Sequence, residues 1–152
     1  MSATGVEAPT STAGVWVRIY SGLCALLVLL VIVQIFVAGG GLFSMAHQLD
    51  NNQSYTVAQW NNSAYWGIHF FNALAIALVI LLMVGTTFIG RLPSHVKRLT
   101  GILAGMLVLQ GILGFIPWPA PIAALHVLNA FAMMGLSGYL ARENWAFGRR
   151  AM

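Results

Sequence analysis

The sequence predicts an all-α integral membrane protein, a four-helix bundle built from two helical hairpins that repeat one another in the same direction. Three observations support this prediction. Of the 152 residues, 59% are hydrophobic and only 7% are charged, whereas a soluble domain carries about 25% charged residues. Four apolar stretches are each long enough to cross a hydrocarbon core of about 30 Å, which takes about 20 helical residues. In addition, one polar motif occurs in two of these stretches.

The four stretches are predicted to be helices, because backbone groups in lipid must form their hydrogen bonds within the segment. We expect the helices at residues 15–43, 63–89, 96–116 and 121–141. The chain is therefore expected to consist of a flexible N-terminal tail at 1–14, the bundle at 15–142 and a basic C-terminal tail at 143–152.

The basic residues predict how the bundle is oriented. They are Arg18, Arg91, Lys97, Arg98, Arg142, Arg149 and Arg150. The connections at 44–62 and 116–121 contain neither Lys nor Arg. By the positive-inside rule, we expect both termini and the 2–3 connection on the cytoplasmic side of an inner or plasma membrane. The cations flank apolar stretches and form no stripe, so lipid is the expected surrounding and a nucleic-acid partner is not expected.

The second and fourth helices carry the same polar motif near their outer ends. The two versions are His69-Phe-Phe-Asn72-Ala73-Leu-Ala75 and His126-Val-Leu-Asn129-Ala130-Phe-Ala132, which are identical at four of seven positions. The first and third helices each carry one glutamine, Gln34 and Gln110. Parallel repeats of this kind are related by a pseudo-twofold axis along the membrane normal. We therefore expect the two imidazoles to lie at the same depth and to face each other.

Two opposed imidazoles inside a bundle are suited to be the axial ligands of a haem iron, so His69 and His126 are the predicted metal ligands. Ala73 and Ala130 follow each histidine by four residues and lie on the same helix face, where a small side chain leaves room for a flat porphyrin.

Four amides accompany the histidines, namely Asn72, Asn129, Gln34 and Gln110. They are candidates to orient an axial ligand or to bond a haem edge. Polar residues in membrane helices also form hydrogen bonds between helices, and the sequence leaves both roles open. His47, His95 and Cys24 are expected to have no functional role, the two histidines as solvated surface residues and the cysteine as a small buried side chain.

At these residues the sequence resembles the four-helix haem-binding half of haem A synthase, and small bacterial four-helix membrane proteins with the same histidine pattern. The resemblance is carried by Leu109-Gln110-Gly-Ile-Leu-Gly, Pro117-Trp-Pro, Leu125-His126-Val-Leu-Asn129-Ala130 and Ile68-His69. Each half of that family holds a haem between histidines of its second and fourth helices, which implies His69 and His126 as ligands. The family's catalytic half has a glutamate where this chain has Trp66, and the synthase has eight helices. Oxidation of the haem methyl group is therefore not expected.

These observations predict a protein that binds one haem b near the outer face, with both axial positions filled by histidine. Such an iron favours one-electron transfer, so an electron carrier or an accessory cytochrome of a larger membrane redox complex or oligomer is expected rather than a catalyst. The only acids are Glu7, Asp50 and Glu143, which excludes the paired carboxylates of hydrolases. The alternative is a cofactor-free accessory or structural subunit, in which the matched polar residues only hold the helices together.

Overall fold

The computed structural model describes residues 11–51, 54, 56–115 and 119–145, which contain helices and no strand. The helices are α1 (Ser11–Asp50), α2 (Val57–Asn61), α3 (Ala64–Ile89), α4 (Ser94–Phe115) and α5 (Ala120–Glu143). Within these ranges, α1, α3, α4 and α5 are each long and apolar enough to cross a membrane. The predicted fold class, an all-α membrane bundle, is confirmed. Most of the two predicted tails, residues 1–10 and 146–152, lies outside the described residues.

The four long helices form a closed ring in which each packs against two others. α1 packs against α3 and α5, and α4 packs against the same two helices. α3 and α5 therefore lie diagonally across the bundle, as do α1 and α4. The two histidine motifs are therefore on diagonally opposite helices.

α1 is longer than the apolar pattern predicts. It begins at Ser11 rather than at residue 15 and continues to Asp50 rather than ending at residue 43. The segment that follows residue 43 is Ser-Met-Ala-His-Gln-Leu-Asp, which has no Gly or Pro and contains several good helix formers. Gly40 does not end the helix, and a Cβ built on it would lie 2.8 Å from the ring of Tyr65. The glycine thus allows α3 to approach α1.

Local hydrogen bonds are formed where α2, α3 and α5 begin. The hydroxyl of Ser63 accepts from the backbone N–H of Trp66 at 3.2 Å, so that α3 begins where the sequence predicted. Before α2, Thr56 and Gln59 bond reciprocally, with side chain to backbone distances of 2.7 and 3.2 Å. α5 begins after Pro119, whose carbonyl accepts from the N–H of Ile122.

The two ends of the bundle are packed differently. We call the end that carries Arg91, Lys97 and Arg142 the basic end, and the opposite end, near His69 and His126, the histidine end. The fully buried large side chains lie toward the basic end and the middle, and include Tyr20, Leu27, Ile80, Met83, Leu103 and Leu140. The histidine end is less densely filled and encloses a cavity.

Candidate functional site

The imidazoles of His69 and His126 face each other across the interior of the bundle. Their ring centroids are 6.4 Å apart and their planes are tilted by 37°. The two residues come from α3 and α5, the diagonal pair of helices, and are separated by 57 positions in the chain. The structure therefore brings together the two predicted metal ligands at the same depth.

This separation fits one metal ion between the rings. A bond from a metal to an imidazole nitrogen is about 2.0 Å long, and the ring centre lies roughly 1.1 Å beyond that nitrogen. Two imidazoles on opposite sides of one iron thus have centroids roughly 6 Å apart. The observed centroid separation of 6.4 Å is close to this value.

The surroundings of His126 leave one of its ring nitrogens without a partner. Nδ1 is buried and has no hydrogen-bond partner among the described residues. The backbone of Gln110 lies near the His126 imidazole. Ligating histidines usually donate their second nitrogen to a carbonyl or carboxylate, and a backbone carbonyl at this position would serve that role after a small shift.

Gly114 of α4 allows this position of the His126 ring. A Cβ built on Gly114 would lie 2.9 Å from Cε1 and 3.2 Å from Nδ1 of His126, but 4.0 Å from Nε2. The Nδ1–Cε1 edge of the ring thus lies against α4, while Nε2 is the nitrogen farther from it. Any side chain at position 114 would displace the imidazole.

Trp66 lies beside the other histidine. Its ring is nearly parallel to that of His69, with an interplanar angle of 17° and a centroid distance of 6.3 Å. Trp66 is one helical turn nearer to the start of α3 and lines the cavity. The indole therefore forms part of the cavity wall next to the His69 imidazole.

On the α1–α3 side, an amide pair ties the helices together next to His69. Nδ2 of Asn72 donates to the backbone carbonyl of Leu30 at 2.9 Å and to Oε1 of Gln34 at 2.6 Å. Nε2 of Gln34 in turn donates to the backbone carbonyl of His69 at 3.0 Å. We call Asn72 with Gln34 the first clamp.

The α4–α5 side repeats this arrangement. Nδ2 of Asn129 donates to the backbone carbonyl of Met106 at 2.9 Å and to Oε1 of Gln110 at 2.7 Å. We call Asn129 with Gln110 the second clamp. The two acceptors of Asn129 correspond to the two acceptors of Asn72, as the pseudo-twofold relation predicted from the sequence requires.

A cavity of about 510 Å³ lies between the histidines and extends toward α4. Its volume is within the range of pockets that hold small ligands and cofactors, roughly 300–1,000 Å³. It is lined by Val31, Gln34, Trp66, His69, Phe70, Ala73, Leu74, Ile76, Ala77, Leu107, Gln110, Gly111, Leu113, Gly114, Phe115, His126, Ala130 and Met133.

The predicted site residues occupy different places around this cavity. His69, His126, Ala73, Ala130, Gln34 and Gln110 line it. Asn72 and Asn129 are absent from its lining and instead bond the neighbouring helix. A direct contact of the asparagines with a ligand, one of the two roles that the sequence left open, therefore does not fit this geometry.

Sequence reasoning missed three residues that shape the cavity, namely Trp66, Gly111 and Gly114. Gly111 follows Gln110 directly, and Gly114 lies three positions further along. Their equivalents on α1 are Ile35 and Ala38, which are larger, so a comparison of the two repeats provides a signal for both glycines.

The burial of the remaining candidates matches the prediction from the sequence. His47 and His95 are exposed, and Cys24 is a fully buried free cysteine. Throughout the described ranges, no group of three or more His, Cys, Asp or Glu side chains is placed to hold a metal ion.

The model of a family of unknown function, DUF6220, matches residues 56–116, which is less than half of the chain. The match includes α3 and α4 and therefore His69, but not His126. No curated protein and no solved structure matches the chain.

Proposed function

We propose that this chain is a membrane haem b protein in which His69 and His126 are the two axial ligands of one iron. The observation that carries the proposal is the 6.4 Å separation of the two ring centroids across the bundle interior. A haem iron needs only two ligands from the protein, because the porphyrin supplies four, so a pair of histidines is a sufficient set.

The walls of the cavity support a flat apolar cofactor. Ala73 and Ala130 place only methyl groups beside the histidines, and Gly111 and Gly114 have no side chain. The buried Nδ1 of His126 is suited to be the second nitrogen of a ligating ring. A bound haem would supply reversible one-electron transfer, and the protein's part is to ligate, bury and orient it.

The proposed setting is an inner or plasma membrane, with the histidine end on the outer side and both termini in the cytoplasm. A haem held by both His69 and His126 would have no open site for oxygen chemistry. We therefore propose an electron carrier or an accessory cytochrome within a larger membrane redox complex.

The absorption spectrum of the purified protein, oxidised and then reduced, tests this proposal. We expect a Soret band and a low-spin six-coordinate spectrum, with one haem per chain in protein expressed with ample haem. His69→Ala and His126→Ala should each abolish the low-spin form. His47→Ala is the matched control, because His47 is exposed and outside the cavity. Protein without a Soret band, or with unchanged haem in either alanine variant, contradicts the assignment.

A cofactor-free accessory subunit is the second candidate, and the two clamps are the observation that favours it. Each clamp joins neighbouring helices with no ligand involved. The spectrum separates the candidates, and so does unfolding. Added haem should raise the unfolding temperature of a haem protein by mass action and leave that of a purely structural subunit unchanged.

A further inference from the structure

The cavity consists of a symmetric part and an extension. Five pairs of lining residues are equivalent in the two repeats: Val31 with Leu107, Gln34 with Gln110, His69 with His126, Ala73 with Ala130, and Ile76 with Met133. The other lining residues come only from α3 and α4: Trp66, Phe70, Leu74, Ala77, Gly111, Leu113, Gly114 and Phe115. The cavity thus extends into the groove between α3 and α4, beyond what the repeat requires.

The extension lies where the edge of a flat ring would be. A porphyrin held between ligands on α3 and α5 would lie across the line that joins them, and its edges would point toward the other diagonal pair, α1 and α4. On α4, Gly111 and Gly114 line the cavity and have no side chain. The equivalent residues on α1, Ile35 and Ala38, are larger, and Ile35 packs against the hydrophobic core.

The rim of the extension faces outward. Leu74 on α3 is 52% exposed and Phe115 on α4 is 72% exposed, so both contact lipid in a bilayer. A ligand edge in this groove would therefore be reached from the hydrocarbon.

We propose that the ring lies toward α4, with one edge on Gly111 and Gly114 and open to lipid between α3 and α4. This proposal rests on the proposed function. It makes Gly111 and Gly114 positioning residues for the ligand, although neither can ligate a metal.

Gly111→Ile tests this placement of the ring, because it gives α4 the residue that the equivalent position on α1 already has. Gly111 lines the cavity and nothing lies within 4 Å of a Cβ built on it, so the added side chain meets no close neighbour. Gly105→Ile is the matched control. It is on the same helix, has equally open surroundings and is not part of the cavity lining.

We expect Gly111→Ile to lower the haem-to-protein ratio at least tenfold, with Gly105→Ile within twofold of the wild type. The unfolding temperature of the haem-free proteins should be the same for both. If Gly111→Ile does not fold, Gly111→Ala should weaken haem binding at least threefold. If a folded variant at position 111 binds as much haem as the wild type, the placement of the ring against α4 is wrong. If the wild type itself binds no haem, the proposed function is wrong instead.

Discussion

Gln34 on α1 donates from Nε2 to the backbone carbonyl of His69 on α3, at 3.0 Å. That carbonyl has a second lone pair, so it accepts this bond in addition to the helical one. The same glutamine accepts from Asn72 through Oε1. The first clamp therefore fixes α3 relative to α1 at the residue whose imidazole faces His126, and so links the packing of the helices to the position of the ring.

Removing an asparagine from either clamp should weaken the bundle by a similar amount. Asn129→Ala deletes the donor to Gln110 and to the carbonyl of Met106. Hydrogen bonds between membrane helices contribute about 0.6 kcal/mol on average and up to about 1.7 kcal/mol, and we expect a loss of the free energy of unfolding in this range. Unfolding in mixed micelles measures it, and Asn72→Ala should lose a similar amount.

A double-mutant cycle measures how much the interaction between Asn129 and Gln110 contributes to the free energy of unfolding. If Asn129 and Gln110 interact as the 2.7 Å distance indicates, the losses from Asn129→Ala and Gln110→Ala should add up to more than the loss in the double variant. Strictly additive losses would mean that the bond between Asn129 and Gln110 contributes nothing to stability.

The sequence was sufficient to predict the four long helices and to predict that His69 and His126 face each other. Polar residues are costly in apolar stretches, so His69 and His126 stand out there, and their repetition at matched positions predicts that they meet. The partners of the asparagines could not be predicted, because they depend on how each helix is rotated about its axis. The true end of α1 could not be predicted either, because hydropathy falls after residue 43 although nothing in the backbone stops the helix.

The role of the cavity glycines escaped prediction for a different reason. Glycine is common in membrane helices, so Gly111 and Gly114 carry no signal by themselves. The comparison with the larger Ile35 and Ala38 on α1 was the available signal. In the structure, the contact of Gly114 with the His126 ring distinguishes it from Gly105, which has open space around it.

Tyr20→Phe should destabilise the basic end without affecting the cavity. The hydroxyl of Tyr20 on α1 bonds Oγ1 of Thr100 on α4 at 2.6 Å in a buried position. Because Thr100 donates its only proton to the carbonyl of Val96, the tyrosine is the donor. We expect a loss of about 0.6–1.7 kcal/mol in the free energy of unfolding.

The control for this variant is Tyr139→Phe, since the Tyr139 side chain is 49% exposed and should tolerate the change. Haem content serves as a second readout and should equal that of the wild type in both variants. An unfolding free energy of Tyr20→Phe equal to that of Tyr139→Phe would contradict a stabilising bond across the bundle.

Gly90→Ala should destabilise the turn that joins α3 to α4. A Cβ at this position would lie 2.6 Å from Cβ of Trp16 and 2.9 Å from the backbone oxygen of Thr86, and neither atom is the end of a flexible side chain. Such overpacking costs about 1–3 kcal/mol, and the unfolding temperature should fall accordingly. Gly85→Ala, on the same helix with open space around it, should not lower the unfolding temperature. Equal unfolding temperatures for the two variants would contradict the close approach of α1 to Gly90.

The orientation of the bundle is testable with single cysteines. The native Cys24 is fully buried, so a membrane-impermeant maleimide should leave the wild type unlabelled. His47 lies exposed near the end of α1 and Ser94 lies exposed at the start of α4, at opposite ends of the bundle. Because the cations are concentrated at the basic end, we expect His47→Cys to be labelled in intact cells and Ser94→Cys only after permeabilisation. The reverse pattern would place the histidine end in the cytoplasm, and any haem partner would then have to be sought on that side.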